Sequence, residues 1–249
     1  MSINLKTPEV EGHFVFNTLS QNELIRDLLS SDKGKDYLLH EVQIVSVGPN
    51  QVLYEQGDQI DFVYFPLNAV VSTLGIIEDG TTVETLMIGP EGLVGMSAIL
   101  GSGRSKQWVW VSISGDVAKV DRRILEHLLV RDEAALKALL KYYRAIVTQV
   151  SQRCICNTRH TIVERLCCWL LMVHDRVGGS NLRLTQEAIA SRVGARRAGI
   201  TVAAGALQSM GAIGYRRGHL HIVQRSLLEE MVCECYSVIK WGGGRFRPI

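Results

Sequence analysis

The chain has 249 residues, 47% hydrophobic and 21% charged, with a formal net charge of +2. At roughly 100–200 residues per domain this is one large domain or two smaller ones, and the composition excludes wholesale disorder and low-complexity polymer. No uncharged apolar run reaches the ~18 residues that a membrane-spanning helix needs, so no membrane partner is expected.

The opening MSINLKTPEVEGHF lacks a basic start followed by an apolar core, and all six cysteines fall after residue 150. A reduced, cytoplasmic protein is expected, not a secreted disulfide framework. Charge is unevenly placed. Residues 1–152 hold 13 Lys and Arg against 19 Asp and Glu, whereas residues 153–225 hold 11 Arg, no Lys and three acids. An acidic front and an arginine-only back suggest two domains with different partners. Arginine's planar fork pairs with phosphate and guanine edges, which suits nucleic acid; a basic surface with no polyanion partner fits the count equally well.

In chain order, Asn22–Leu29 has the spacing of a short amphipathic helix. From Glu41 to Val120 the pattern becomes short β-rich runs: Val42–Val47, Gln51–Tyr54, Phe62–Phe65, Val70–Leu74, Thr82–Ile88, Trp108–Ile113 and Asp116–Val120. Gly, Pro, Asn and Asp punctuate them, as in a sandwich or barrel. Trp108 and Trp110 alternate on one strand and fill the barrel or line a ligand cavity. From Arg122 the period turns helical. One long helix is expected over 122–152, with Leu136, Leu139, Leu140, Tyr143, Ile146, Val147 and Val150 as a stripe that needs cover. A second copy of the helix supplies that cover most simply; the protein's own barrel is the alternative.

A helix over Thr161–His174 is apolar enough to be a buried scaffold. Thr185 then caps a short helix that Gly194 breaks. A second helix runs to Met210, before Gly211. Ala188, Ile189 and Val193 of the first, and Ile200, Ala204, Leu207 and Met210 of the second, are the expected inner faces. Residues 213–223 alternate around Arg217-Gly218, a hairpin with basic residues at its tip. Two helices, a glycine-bearing turn and a hairpin make a winged helix-turn-helix. In such a unit the second helix enters the DNA major groove with its N-terminal residues at base edges, the place of Arg196 and Arg197. Thr201 lies one turn further on. Thr185, Arg216, Arg217 and His219 are expected phosphate contacts.

These residues resemble the CRP/FNR superfamily of bacterial transcription regulators over nearly the whole chain. The specific match is Leu184–Gly194, LTQEAIASRVG, with a second at Gln56-Gly57-Asp58 and Phe62–Phe65. The resemblance implies an α+β chain. Its parts are an N-terminal helix and cyclic-nucleotide-binding-like β-roll over 1–121, a dimerisation helix over 122–152, a winged helix-turn-helix over 153–230 and a tail over 231–249. It implies a homodimer on near-palindromic double-stranded DNA, with RNA polymerase as a further partner, and effector control through the β-roll. There are departures. Arg197 takes the family's base-reading arginine position, but Ala198 stands where a glutamate commonly reads cytosine. Cyclic-nucleotide binders carry Gly-Glu-Leu, the glutamate taking the ribose hydroxyl, followed by an arginine for the phosphate. This chain has Gly95-Met96-Ser97, then Arg104, Ser105 and Lys106 near the phosphate position. Cyclic-AMP binding in the usual mode is not expected, and no cofactor is assigned.

Cys154, Cys156, Cys167, Cys168, Cys233 and Cys235 lack the Cys-x2-Cys pairs of common zinc sites and are expected as small buried apolar residues, with no metal. A redox role for Cys154 and Cys156, near the presumed hinge, stays open. No Gly-x-Ser-x-Gly, HExxH or paired-carboxylate motif is present, so no catalytic residue is expected. Two rival readings remain: a thiol- or metal-responsive sensor that binds DNA, and a ligand-binding signalling module whose helical domain engages protein. The tail Trp241–Ile249 suggests no role.

Overall fold

The computed structural model describes residues 15–101 and 103–241; the opening segment 1–14 and residues 242–249 of the tail lie outside them. In chain order the elements are α1 (Glu23–Leu28), α2 (Asp32–Leu38), β1 (Gln43–Val47), β2 (Val52–Tyr54), β3 (Phe62–Pro66), β4 (Val70–Ile76) and β5 (Thr82–Ile88). Next come α3 (Met96–Leu100), β6 (Trp108–Ile113), β7 (Gly115–Asp121), α4 (Arg122–Arg131) and α5 (Glu133–Arg159). The rest is α6 (Ile162–Val177), β8 (Asn181–Arg183), α7 (Gln186–Val193), α8 (Arg197–Ser209), β9 (Ile213–Arg216), β10 (His219–Ile222), α9 (Arg225–Met231) and α10 (Cys235–Trp241). This is an N-terminal jelly-roll-like β domain, a long helix and a C-terminal helix-turn-helix region, the expected α+β architecture.

Two compact units form: Met1–Val71 with Ile88–Tyr142, and Ser72–Met87 with Tyr143–Ile249. In the first, β7 lies between β1 and β3, antiparallel to both, and β2 pairs with β6. Val63, Phe65, Val117, Val120, Leu125 and Leu128 are fully buried there. Asn22, placed by its sequence at a helix start, caps α1 by accepting from the Ile25 amide. Its amide nitrogen donates to the carbonyls of Pro66 and Gly92, so a completely buried polar side chain leaves little unsatisfied.

The single helix expected over 122–152 is instead two. Asp132 has extended backbone, φ −130° and ψ 105°, and its carboxylate accepts from the amides of Ala134 and Ala135. It therefore ends α4 and caps α5, which runs on to Arg159. The apolar residues of α5 also divide between two faces. Ala135, Leu139, Tyr142 and Cys156 are buried, whereas Leu136, Leu140, Tyr143, Val147 and Val150 are exposed. The exposed set is spaced 4, 3, 4, 3, a period of 3.5 residues.

In the second unit α6 is the scaffold. Thr161 and Glu164 form a reciprocal capping box at its start, and Leu166 through Val173 are buried without interruption. Trp169 donates its indole N–H to Glu84 at 3.1 Å. Glu84, 2% exposed, also accepts from Ser72 and pairs with Arg153 at 3.4 Å. That polar knot ties the hairpin 72–87 to α5 and α6 within this unit. The expected tail from residue 231 also carries structure. Helix α10 buries Cys235 and Tyr236, and the Tyr236 hydroxyl donates to Asp175 at 2.7 Å.

Candidate nucleic-acid interface

Helix α7 begins at Thr185, whose hydroxyl accepts from the Ala188 amide at 3.1 Å, and ends at Gly194 in the left-handed region at φ +68°. That conformation turns the chain directly into α8. Ile189, Val193, Ile200, Ala204 and Leu207 are buried between the helices as expected; Ala188 is half-buried. Met210 is 46% exposed, because it is the C-terminal cap of α8 and not part of its inner face.

Arg196 is the N-cap residue of α8 and Arg197 its first helical residue, and both side chains are exposed. The outward face continues through Ala198, Thr201 and Val202. Free amides at the start of α8 add the positive end of the helix dipole to these guanidinium groups. Thr201 Oγ1 lies 2.8 Å from Gln186 Oε1 and 3.1 Å from the Arg197 carbonyl. Gln186, which sequence reasoning passed over, therefore stands beside the reading face.

Strands β9 and β10 form the wing, joined by a two-residue turn with positive φ at Arg217 (50°) and Gly218 (79°). That is the type I′ geometry that matches strand twist, and glycine at its second position adopts it without strain. Tyr215 donates its hydroxyl to the Leu184 carbonyl at 2.9 Å, and the Leu184 amide donates to Gly218. The wing is thus bonded to the segment entering α7. Burial raises the Tyr215 phenol above its ordinary value, while the Arg197 guanidinium acts in the opposite direction. Strand β8 completes the sheet on the other side of β10. In register, His219 faces Arg216 on β9 and Arg183 on β8, so Arg183, His219 and Arg216 make one exposed row across three strands. Arg183 was missed because the three-residue β8 has too little sequence to show a period.

Several other arginines face inward. Arg165 donates to the carbonyls of Val193 and Gly194, Arg153 to that of Arg192, and Arg192 itself is 3% exposed. Arg225 pairs with Asp175 and Glu229. The basic balance of residues 153–225 therefore overstates the charge offered to a partner.

In the first unit, Gly95 caps α3 with φ +101°, and the segment after α3 bonds back onto the turn at residues 57–60. Arg104 donates to the Gly57 carbonyl at 2.8 Å, and buried Ser105 gives its hydroxyl to Gln107. Lys106 is exposed. Trp108 and Trp110 meet edge to face with centroids 6.4 Å apart. No acidic side chain occurs from Gly95 to Lys106, and Met96, at the start of α3, is at best a weak acceptor.

A buried helical scaffold, a two-helix unit with arginines at the start of its second helix, and a basic wing define a winged helix-turn-helix protein. The family model for the cyclic nucleotide-binding domain matches residues 44–132, and that for the Crp-like helix-turn-helix domain matches residues 164–231. Together they span more than half of the chain, which belongs to the CRP/FNR family of transcription regulators. Solved structures agree on the fold. FixK2 from Bradyrhizobium japonicum superposes with a TM-score of 0.65 at 18% identity, over 77% of this chain and 98% of that one. TTHB099, a CRP-family regulator from Thermus thermophilus, gives 0.63 at 14% identity over 75% and 95%. The c-di-GMP-responsive regulator CLP from Xanthomonas campestris gives 0.58 at 16% identity over 75% and 96%. No curated protein matches the sequence. Among the described residues no helix is long and apolar enough to cross a membrane.

Proposed function

We propose that the chain is a homodimeric regulator that reads a near-palindromic DNA site with the first turn of α8, Arg196 and Arg197 reaching base edges. Thr201 meets a thymine methyl or a phosphate. Thr185, Arg216, Arg217 and His219 hold flanking phosphates, joined by Arg183. The observation that carries this reading is that these arginines are exposed and grouped on α8 and the wing, whereas their neighbours in sequence are committed to internal carbonyls and carboxylates. The heptad-spaced exposed stripe of α5 supports pairing of two copies. A dimer would set two recognition helices about one DNA turn apart, roughly 34 Å. RNA polymerase is the further partner of a regulator that acts from such a site. The β-roll, with Met96 where the family's glutamate would be, serves as a scaffold or takes an effector other than cyclic AMP.

Fluorescence anisotropy on operator DNA, selected in vitro from a random library, tests the reading across a salt series. Arg197→Ala is expected to weaken specific binding by ~10- to 100-fold, about 1–3 kcal/mol, and to relax preference at one base pair of each half-site. Arg183→Ala is expected to weaken binding to all sequences alike and to reduce the salt slope by about one. Salt-insensitive binding, or an Arg197→Ala variant equal to wild type, would reject the interface in favour of a protein-binding module.

A further inference from the structure

Three buried cysteines and one histidine converge in the C-terminal unit. Cys156 and His160 lie four residues apart, on the last turns of α5 and just beyond them, so both project from one face. Cys233 and Cys235 are at the entry to α10. Their four potential ligand atoms all lie within 4.8 Å of one another. Cys156 Sγ is 3.6 Å from Cys233 Sγ, and Cys235 Sγ is 3.4 Å from His160 Nδ1.

We propose that Cys156, His160, Cys233 and Cys235 form a tetrahedral site for one thiophilic divalent cation of the zinc class. The distances separate this from the obvious alternatives. A disulfide needs sulfurs about 2.05 Å apart. Tetrahedral zinc, with sulfur at about 2.3 Å and nitrogen at about 2.0–2.1 Å, sets neighbouring sulfurs about 3.8 Å apart and sulfur and nitrogen about 3.6 Å apart. The observed separations of 3.6 and 3.4 Å lie close to those edges. All four atoms lie within 4.8 Å of one another, a spread that suits a single ion and not a bridged pair of irons. Packing as small apolar residues accounts for the burial of the cysteines. It does not account for Cys235 meeting a histidine 75 residues away in sequence.

The surroundings complete the site. His160 Nε2 faces the Glu234 carboxylate at 3.4 Å, the arrangement that orients a ligating imidazole through its other nitrogen. Arg153 and Arg165 share a small pocket with Cys156, so cationic groups stand near a centre that three thiolates, one imidazole and a divalent ion leave with one net negative charge. Loading takes the sulfurs as thiolates, and any thiol proton still held is released to solvent. The bound ion fastens the entry of α10 to the end of α5.

The experiment is titration of the reduced, metal-stripped full-length protein with cobalt(II), followed by zinc competition. One cobalt per chain is expected, with the strong visible bands of tetrahedral coordination and near-ultraviolet thiolate charge transfer, both abolished by one equivalent of zinc. Cys233→Ser with Cys235→Ser is expected to remove the charge-transfer bands, while exposed Cys154→Ser leaves them intact. Glu234→Gln is expected to weaken affinity by ~10-fold through the imidazole. The wild-type titration decides by itself should the double variant fold poorly. Absence of stoichiometric uptake by protein with all thiols reduced overturns the proposal. So does an octahedral spectrum, or iron with acid-labile sulfide in anaerobically purified protein. These readouts do not involve DNA, so they stand apart from the outcome of the binding assay.

Discussion

Arg165 Nη2 lies 2.6 Å from the carbonyl oxygen of Gly194, the residue that turns α7 into α8. The same nitrogen reaches the Val193 carbonyl at 2.6 Å, so one guanidinium on the scaffold helix gathers two of the carbonyls at the end of α7. Hydrogen bonds from a charged donor contribute about 1.5–3 kcal/mol each when partly shielded. Arg165→Met is expected to lower the stability of the C-terminal unit by about 2 kcal/mol and to loosen α8. Urea unfolding and DNA anisotropy of the variant check both effects. Lysine, a point charge without the fork, is expected to restore only part of the loss.

Glu84 is the second test. Its carboxylate answers Ser72, Trp169 and Arg153 at once from a position 2% exposed. Removing one member of a buried pair strands the other, at a typical cost of about 3–5 kcal/mol. Glu84→Ala is therefore expected to be among the most damaging substitutions in the chain. Its midpoint in urea should fall well below that of an exposed control such as Glu133→Ala.

Acid dependence is expected from Asp132. The Ser31 hydroxyl, then the amides of Ala134 and Ala135, hold its carboxyl below the ordinary carboxylate range. Because the folded value is depressed, this contribution is complete above the unfolded value of about 3.9 and is lost as pH falls through the folded one. Asp132→Ala should be less stable than wild type at neutral pH and should converge on it in acid. Urea midpoints of both proteins from neutral pH down to the acid limit of reversible folding test the sign.

The exposed seam of α5 makes the fourth prediction. In the proposed dimer Leu140 and Val147 are buried between copies, although 51% and 46% exposed in the single chain. An aspartate at either position would be a desolvated, unpaired charge, expected to weaken association by about 3 kcal/mol, or ~100-fold. Sedimentation equilibrium of Leu140→Asp and Val147→Asp measures this directly. A variant as dimeric as wild type would move the interface elsewhere.

Much of the architecture was legible in the sequence because it is written locally. Thr82–Ile88 and Trp108–Ile113 match their strands residue for residue. Thr161, Thr185 and Gly194 act at the helix ends where side-chain caps and left-handed turns put them. Alternation, helical period, caps and turn residues each act over a few neighbours, so they survive in the linear order. The placement of Arg196 and Arg197 at the start of a helix belongs to the same class of information.

What depends on meeting a distant segment was decided only by the tertiary structure. The amphipathic period marks Leu136 and Leu139 alike as apolar; packing sends Leu139 inward and leaves Leu136 exposed. Charge counting treats all arginines as equal, yet Arg165 and Arg153 find carbonyls in the helix-turn-helix while Arg183 joins His219 and Arg216 on an exposed row. Cys156 and Cys233 meet only because α5 and the chain before α10 pack together. The physical reason is common to all three. A side chain's period and propensity are its own, but whether it faces water, a carbonyl or another thiol depends on the segment that covers it.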